Sequence, residues 1–209
     1  MKKVFLFMAL AGLIVLVASC AHCPGKGKGN PVLSAGCYSI VIPDEATAPE
    51  RTAALELSIY LGQLTGESLA IVPESHQKTC HAIYVGKCKK SEQIASIDYE
   101  KLGFDGIRMV SKDGDLVLTG DKRGVLYAVF TFLQKYADCR WFAEDCIVIP
   151  EKKGFRIPEI DVEYVPALEY RHNSYYCARN TRPSCRRMPI PMPYAHGFWK
   201  SRHGVWPSG

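Results

Sequence analysis

The chain has 209 residues, 47% of them hydrophobic and 22% charged, which is the balance of an ordinary globular protein rather than a disordered or fibrous one. Its net charge of +5 is unevenly placed: residues 173–209 hold Arg179, Arg182, Arg186, Arg187, Lys200 and Arg202 and no acid, leaving −1 for the rest. A near-neutral body with a cationic tail is not a nucleic-acid-binding domain, and the length suits one domain of usual size.

From the N-terminus, Lys2 and Lys3 precede an apolar run over residues 4–20, too short for a comfortable membrane span and ending Val17-Ala18-Ser19-Cys20. A basic start, a short apolar stretch and small residues before a cleavage point make residues 1–19 an export signal. The ending resembles the lipobox of bacterial lipoproteins. That resemblance implies cleavage before Cys20 and lipidation of its sulfur and new amino terminus, and several acyl chains suffice for stable anchoring. The plainer alternative is a secreted signal with a chance cysteine. On either reading the rest of the chain is extracytoplasmic, in the periplasm or at the cell surface, and through Cys20 the membrane is its partner.

Eight cysteines follow Cys20, an even number in an oxidising compartment, which permits disulfides. The close pairs Cys80/Cys88 and Cys139/Cys146 are candidates, although spacing does not fix connectivity. A structural zinc site competes poorly, because the only C-x2-C pair is Cys20/Cys23 and half of it is the lipid site. No metal and no cofactor are expected: neither a phosphate-cradling loop nor a dinucleotide fingerprint is present.

Residues 20–36, rich in Gly and Pro, read as lipid anchor and flexible tether, and residues 37–160 as the folded domain. An alternating apolar run at 38–43 predicts a first strand. Thr47-Ala48-Pro49-Glu50 matches a capping box, and Ala54, Leu57, Tyr60, Leu61 and Leu64 continue at helical spacing up to Gly66. Residues 69–72 and 82–85 predict two more strands, and 91–97 a short helix. Residues 107–111 and 116–119 flank the turn Lys112-Asp113-Gly114-Asp115, so a hairpin is expected. A second helix over 125–136 is apolar on nearly every face, which predicts burial between a sheet and another layer. The element order implies an α+β fold, a mixed β-sheet with two main helices on one face.

The segment from Gly106-Ile107-Arg108 through Arg123-Gly124-Val125-Leu126-Tyr127, Cys139-Arg140-Trp141-Phe142 and Val165-Pro166-Ala167-Leu168-Glu169-Tyr170-Arg171 resembles the N-terminal accessory domain of bacterial α-glucuronidase-like glycoside hydrolases. The equivalent domain of β-N-acetylhexosaminidases is similar at lower specificity. In that family the domain precedes a (β/α)8 barrel that carries the chemistry, so the resemblance implies hydrolysis of O-glycosyl bonds in polysaccharide, with uronic acid released. Residues 161–172 then read as linker and the start of a first barrel strand. Only 38 residues follow Arg171, against about 250 for a barrel. Residues 173–209 read as an irregular basic tail, truncated or frameshifted, and they hold no carboxylate side chain for the acid–base pair that glycoside hydrolysis uses. The chain alone is therefore expected to be inactive, with no catalytic residue assigned. A glycan-binding or scaffold lipoprotein and a non-functional remnant are the alternatives.

Trp141 and Phe142, beside Glu144 and Asp145, are candidates for glycan contact because aromatic rings stack on sugar faces, while core or interdomain packing is the alternative. Arg123-Gly124 at a helix start suits an anion, but Gly120 and Gly124 also permit a tight turn with Arg123 paired locally. His76 and His81 around Cys80 lack metal-site spacing and read as surface histidines in a loop.

Overall fold

The computed structural model describes residues 30–143 and 146–167. Eight strands and four α-helices follow one another as β1 (Tyr38–Ile42), α1 (Ala48–Thr65), β2 (Ile71–Pro73), β3 (His81–Val85), α2 (Lys89–Ile94), α3 (Tyr99–Leu102), β4 (Ile107–Lys112), β5 (Asp115–Thr119), α4 (Gly124–Lys135), β6 (Arg140–Ala143), β7 (Cys146–Val148) and β8 (Asp161–Tyr164). Six strands form one mixed sheet in the order β2-β1-β3-β5-β4-β8. The strands β2, β1, β3 and β5 run parallel, and β4 is antiparallel to both β5 and β8. The α+β class expected from the element order is the class observed.

Period-2 alternation sorts the strands between two cores. Tyr38, Ile40, Ile83, Val85, Leu116 and Leu118 face the helices α1 and α4, while Val41, Ala82, Tyr84 and Val117 face the other way and are covered by Cys88, Ile94 and Ile97. Helix α4 is buried on almost every side, including Val125, Leu126, Val129, Phe130, Phe132 and Leu133. It lies on β4 and β5 and packs along α1, which is the sandwiched position its all-round apolar sequence predicted. The β6–β7 hairpin is a separate two-stranded sheet. Its Trp141 and Ile147 pack on the same core.

Local chemistry sets several ends. Gly66 adopts φ 79° and its N–H bonds to the Gly62 carbonyl at 2.9 Å, stopping α1 in the left-handed conformation that suits glycine. At the β4–β5 turn Asp113 and Gly114 take φ 53° and 90°, the two positive values that a tight Asp-Gly hairpin turn requires.

The sequence reading differs from the fold at four places. The second strand lies at Ile71–Pro73 because its parallel register with β1 pairs Ile40 with Ile71. The helix expected at 91–97 is Lys89–Ile94, and Tyr99–Leu102 forms another that was not expected. Residues expected in the tether belong to the domain: Leu33 is 1% exposed, its N–H bonds to the Phe155 carbonyl at 2.8 Å, and Val32 bridges to Arg156. Residues 161–164, expected as linker, are an edge strand of the sheet on β4.

Candidate functional site

A parallel sheet offers its default ligand crevice at the carboxyl ends of the strands, where neighbouring connections leave in opposite directions. Here that point lies between β1 and β3, since the chain passes from β1 through α1 to β2 on one side and returns to β3 on the other. The first turn of α1 opens there, with N–H groups that attract an anion. Its occupant is the protein's own Glu50. The Glu50 carboxylate, 6% exposed, accepts the Thr47 N–H at 2.7 Å and the Thr47 hydroxyl at 2.8 Å. It also accepts the Lys87 N–H at 2.8 Å, which ties α1 to the end of β3. Gly86 leaves room for it: with φ 97°, a Cβ at that position would sit 2.3 Å from Glu50 Oε1. The capping box is legible in sequence, but the third donor, from Lys87, comes from a loop 37 residues away.

Three other carboxylates around this end, Asp44, Glu74 and Asp121, are also committed to the chain. Asp44 accepts the Ser75 N–H at 3.0 Å and its hydroxyl at 2.7 Å, and these bonds hold its pKa below the ordinary aspartate value. Glu74 accepts the Lys89 and Lys90 N–H groups at 3.0 and 2.8 Å, satisfying the first turn of α2. Asp121 pairs with Lys87 at 2.7 Å. Glycoside hydrolysis uses two carboxyl groups that face each other across a sugar. Glu50, Asp44, Glu74 and Asp121 are spent on backbone amides, hydroxyls and a lysine.

The Arg123-Gly124 motif is a second closed site. Arg123 Nε lies 3.0 Å from Asp105 Oδ1, with the carboxylate side chain 8% and the guanidinium 21% exposed. The expectation of a local partner is corrected, because the partner arrives from the loop before β4. Gly124 N–H bonds to the carbonyls of Asp121 at 2.6 Å and Phe104 at 3.1 Å, so this N–H at the start of α4 is not offered to an anion. Gly106 passes so close that a Cβ at Gly120 or Gly124 would lie 2.4 or 2.1 Å from its carbonyl oxygen. The glycines of this motif therefore serve close backbone packing.

The aromatic candidates part company on β6, whose successive side chains point to opposite faces. Trp141 donates its indole N–H to the Tyr60 hydroxyl at 3.0 Å. It also stands edge-on to Tyr60 and Phe130, with ring centroids 5.3 and 5.5 Å apart. Phe142 is 68% exposed. Glu144 and Asp145 lie outside the described residues, as do Cys20, the Glu169-Tyr170-Arg171 segment and the basic tail. A polar groove of about 490 Å³ runs past Asn30, Ser111, Asp113, Glu159 and Asp161; Asp161 is already paired with Arg108.

His76 is exposed between β2 and β3, as expected, and only His81 is corrected. His76 ends a 3-10 turn, whereas His81 opens β3, stacks at 5.4 Å on buried Tyr38 and lies 3.8 Å from Asp115. Among the described residues no three His, Cys, Asp or Glu side chains gather as a metal site.

Neither candidate disulfide pair forms. Cys80 is disulfide-bonded, but Cys88, Cys139 and Cys146 keep their thiols. All of β3 lies between Cys80 and Cys88, and five extended residues span about 16 Å, whereas a disulfide holds Cα atoms within about 7 Å. Cys88 is buried with Sγ 3.7 Å from the Val41 carbonyl. On the second hairpin Cys146 pairs in register with Ala143 while Cys139 lies beyond the Arg140–Val148 pair. One is exposed and the other buried. Burial drives the Cys88 thiol pKa upward and pushes that of Cys139 to about 11.

Comparison with known proteins gives one sequence family and a set of solved structures. Residues 32–132 match the family described as glycosyl hydrolase family 67 N-terminus. No curated protein matches the chain. Similar solved structures include a GH115 4-O-methyl-α-glucuronidase with specificity for decorated arabinogalactans, at 26% identity and TM-score 0.46, covering 68% of this chain and 19% of that one. They also include a Streptomyces plicatus β-hexosaminidase, at 18% identity and TM-score 0.45, covering 68% and 25%. A third is the GH20 β-N-acetylhexosaminidase of Streptomyces coelicolor A3(2), at 20% identity and TM-score 0.46, again covering 68% and 25%. The chain thus spans a quarter or less of the length of these proteins. Over residues 32–132 the folded part of this chain is similar to the N-terminal domain of glycosyl hydrolase family 67.

Proposed function

We propose that this chain is an exported, lipid-anchored protein whose domain is a non-catalytic accessory module of a carbohydrate-active enzyme. The linked chemistry is hydrolysis of O-glycosyl bonds, α-glucuronidase-like, supplied by a barrel partner. The observation that carries the non-catalytic part is the closed crevice: where a parallel sheet would receive a ligand, Glu50 already holds the donors of Thr47 and Lys87.

Apolar exposure supports a packing role. Leu55 and Ile59, 54% and 45% exposed, lie on the side of α1 opposite Leu57 and Leu61. Phe142 and Val148, 68% and 49% exposed, are on the hairpin that covers the same helical layer. Apolar side chains of this size on one side of a small domain suit a domain–domain contact. The purified protein, incubated with uronic-acid-decorated xylo-oligosaccharides, is expected to release no sugar and to give no binding heat in calorimetric titration. Sugar release at enzymatic rates would overturn this reading. Exposed Phe142 favours one alternative, direct glycan contact by a surface-binding lipoprotein, and saturable binding abolished by Phe142→Ala would establish it.

A further inference from the structure

The two outer strands of the sheet have unlike edges. On β2 the Ala70 carbonyl accepts the Ile40 N–H at 2.9 Å, so Ile71 and Pro73, which alternate with it, turn their backbone groups outward. Pro73 has no N–H, which leaves β2 one outward donor. On β8 the Ser111 N–H bonds to the Ile160 carbonyl at 2.8 Å. These two residues stand opposite each other in the register that pairs Met109 with Val162 and Ile107 with Tyr164. Bonded and non-bonded pairs alternate along an antiparallel ladder, so Val162 and Tyr164 aim their backbone groups at β4 while Asp161 and Glu163 aim theirs away. Val165, extended before Pro166, continues the outward row. Among the described residues no strand lies beyond β8, and no backbone bond reaches Asp161 or Glu163 from outside the sheet.

Natural edges are blunted by proline, lysine or uncompensated charge. The sequence of β8, Asp161-Val162-Glu163-Tyr164, has neither proline nor lysine. Its two acids are matched from neighbouring elements, Asp161 by Arg108 of β4 and Glu163 by Lys101 of α3. On the opposite face Val162 packs on the helical core and Tyr164 is exposed. An edge of this kind fits its own copy, because a two-fold axis sets the same outward residues against each other. An axis through Val162 would oppose Asp161 to Glu163 twice, a like-charge contact at each end. An axis through Glu163 opposes acids once, between the two Lys101 side chains, and sets each Asp161 against Val165. It also makes three bonded pairs instead of two and seats the exposed Tyr164 on Val162 of the other copy, an aromatic–β-branched pair.

We propose that β8 pairs with β8 of a second copy, antiparallel about a two-fold axis through Glu163, so that two six-stranded sheets become one. Each copy contributes the backbone groups of Asp161, Glu163 and Val165. The charges at the seam cancel, since the two Glu163 carboxylates meet the two Lys101 ammonium groups. The Cα atoms of the two Glu163 residues then stand about 5.5 Å apart, within disulfide reach. The pairing goes beyond the accessory-module reading, and the sugar-release assay has no bearing on it.

The test uses the full chain in density-matched detergent. Sedimentation equilibrium over a concentration series is expected to show single chains in exchange with dimers. Glu163→Lys, which gathers four ammonium groups at the axis, is expected to leave single chains only, with circular dichroism checking that the variant stays folded. Val165→Asp lies outside β8 and faces Asp161 of the other copy, so it weakens the dimer while leaving the Lys101 pair intact. Mild oxidation of Glu163→Cys, made with Cys146→Ser to remove the exposed thiol, is expected to give a reducible dimer on a denaturing gel, and Asp161→Cys in the same background none. A parent that stays monomeric at every concentration overturns the pairing and leaves the edge to a strand of another protein. A dimer that survives both Glu163→Lys and Val165→Asp overturns it as well. Cross-linking through Asp161→Cys, or none through Glu163→Cys, overturns the register.

Discussion

Gly124→Ala isolates the packing reading of the Arg123-Gly124 motif. The new Cβ would lie 2.1 Å from the Gly106 carbonyl oxygen, whereas carbon–oxygen contacts settle near 3.3 Å. About 1.2 Å must therefore be opened between two backbone segments, neither of which has a side chain that can swing aside. The same loop carries the Arg123–Asp105 pair and the bonds from Gly124 N–H to Phe104 and Asp121, so relief by movement strains those contacts too. Overpacking costs about 1–3 kcal/mol in ordinary cores, and a rigid backbone clash belongs at the top of that span. Alanine's better helix propensity returns at most about 1 kcal/mol. A net loss of about 2 kcal/mol or more is expected, a fall of roughly 1 M in the urea midpoint for a slope near 2 kcal/mol/M. The internal control is Gly62→Ala in α1, where the new Cβ would meet the Glu67 carbonyl oxygen at 3.7 Å, an ordinary contact distance. The same substitution there is expected to stabilise by about 0.5–1 kcal/mol. Urea unfolding followed by circular dichroism measures both, and a Gly124→Ala protein as stable as the parent would refute the close-approach argument.

Glu50→Gln keeps the shape of the crevice but removes the charge that faces the α1 N-terminus and the Lys87 N–H; a loss of about 1–2 kcal/mol is expected, read as a lower urea midpoint. Thiol labelling of the native protein at pH 8 is expected to modify Cys146 and to spare Cys88 and Cys139, whose burial raises their pKa values; mass spectrometry after a short pulse reads the sites. The same burial fixes the sign of the alkaline response. The Cys139 thiol titrates near 9 when unfolded and at about 11 when folded, so its contribution is whole below pH 9. That contribution is lost as pH rises towards 11, by up to about 1.4 kcal/mol per pH unit; stability that climbs between pH 9 and 11 would contradict the buried placement. Trp141→Phe removes the donor to Tyr60 and is expected to cost about 1 kcal/mol, whereas Phe142→Ala, on the exposed face, is expected to change stability by less than about 0.5 kcal/mol.

The elements written within a few neighbouring residues were legible in the sequence. Thr47 with Glu50 and the spacing through Leu64 mark α1, Gly66 ends it, Asp113-Gly114 turns the hairpin, and the all-round apolar run of α4 announces a buried helix. These features depend on backbone geometry and periodicity, which act over one or two turns of chain. What tertiary structure alone decided are pairings between distant segments. Register moved the second strand to Ile71–Pro73 and drew Asp161–Tyr164 into the sheet. The approach of β3 to α1 gave Glu50 its third donor, and the approach of the loop before β4 gave Arg123 its carboxylate. The cysteines make the same point, for nearness in sequence suggested Cys80 with Cys88, yet the extended strand between them holds them apart. A strand separates its two ends by the full rise of its residues, and only the packed sheet determines which remote segment meets each end.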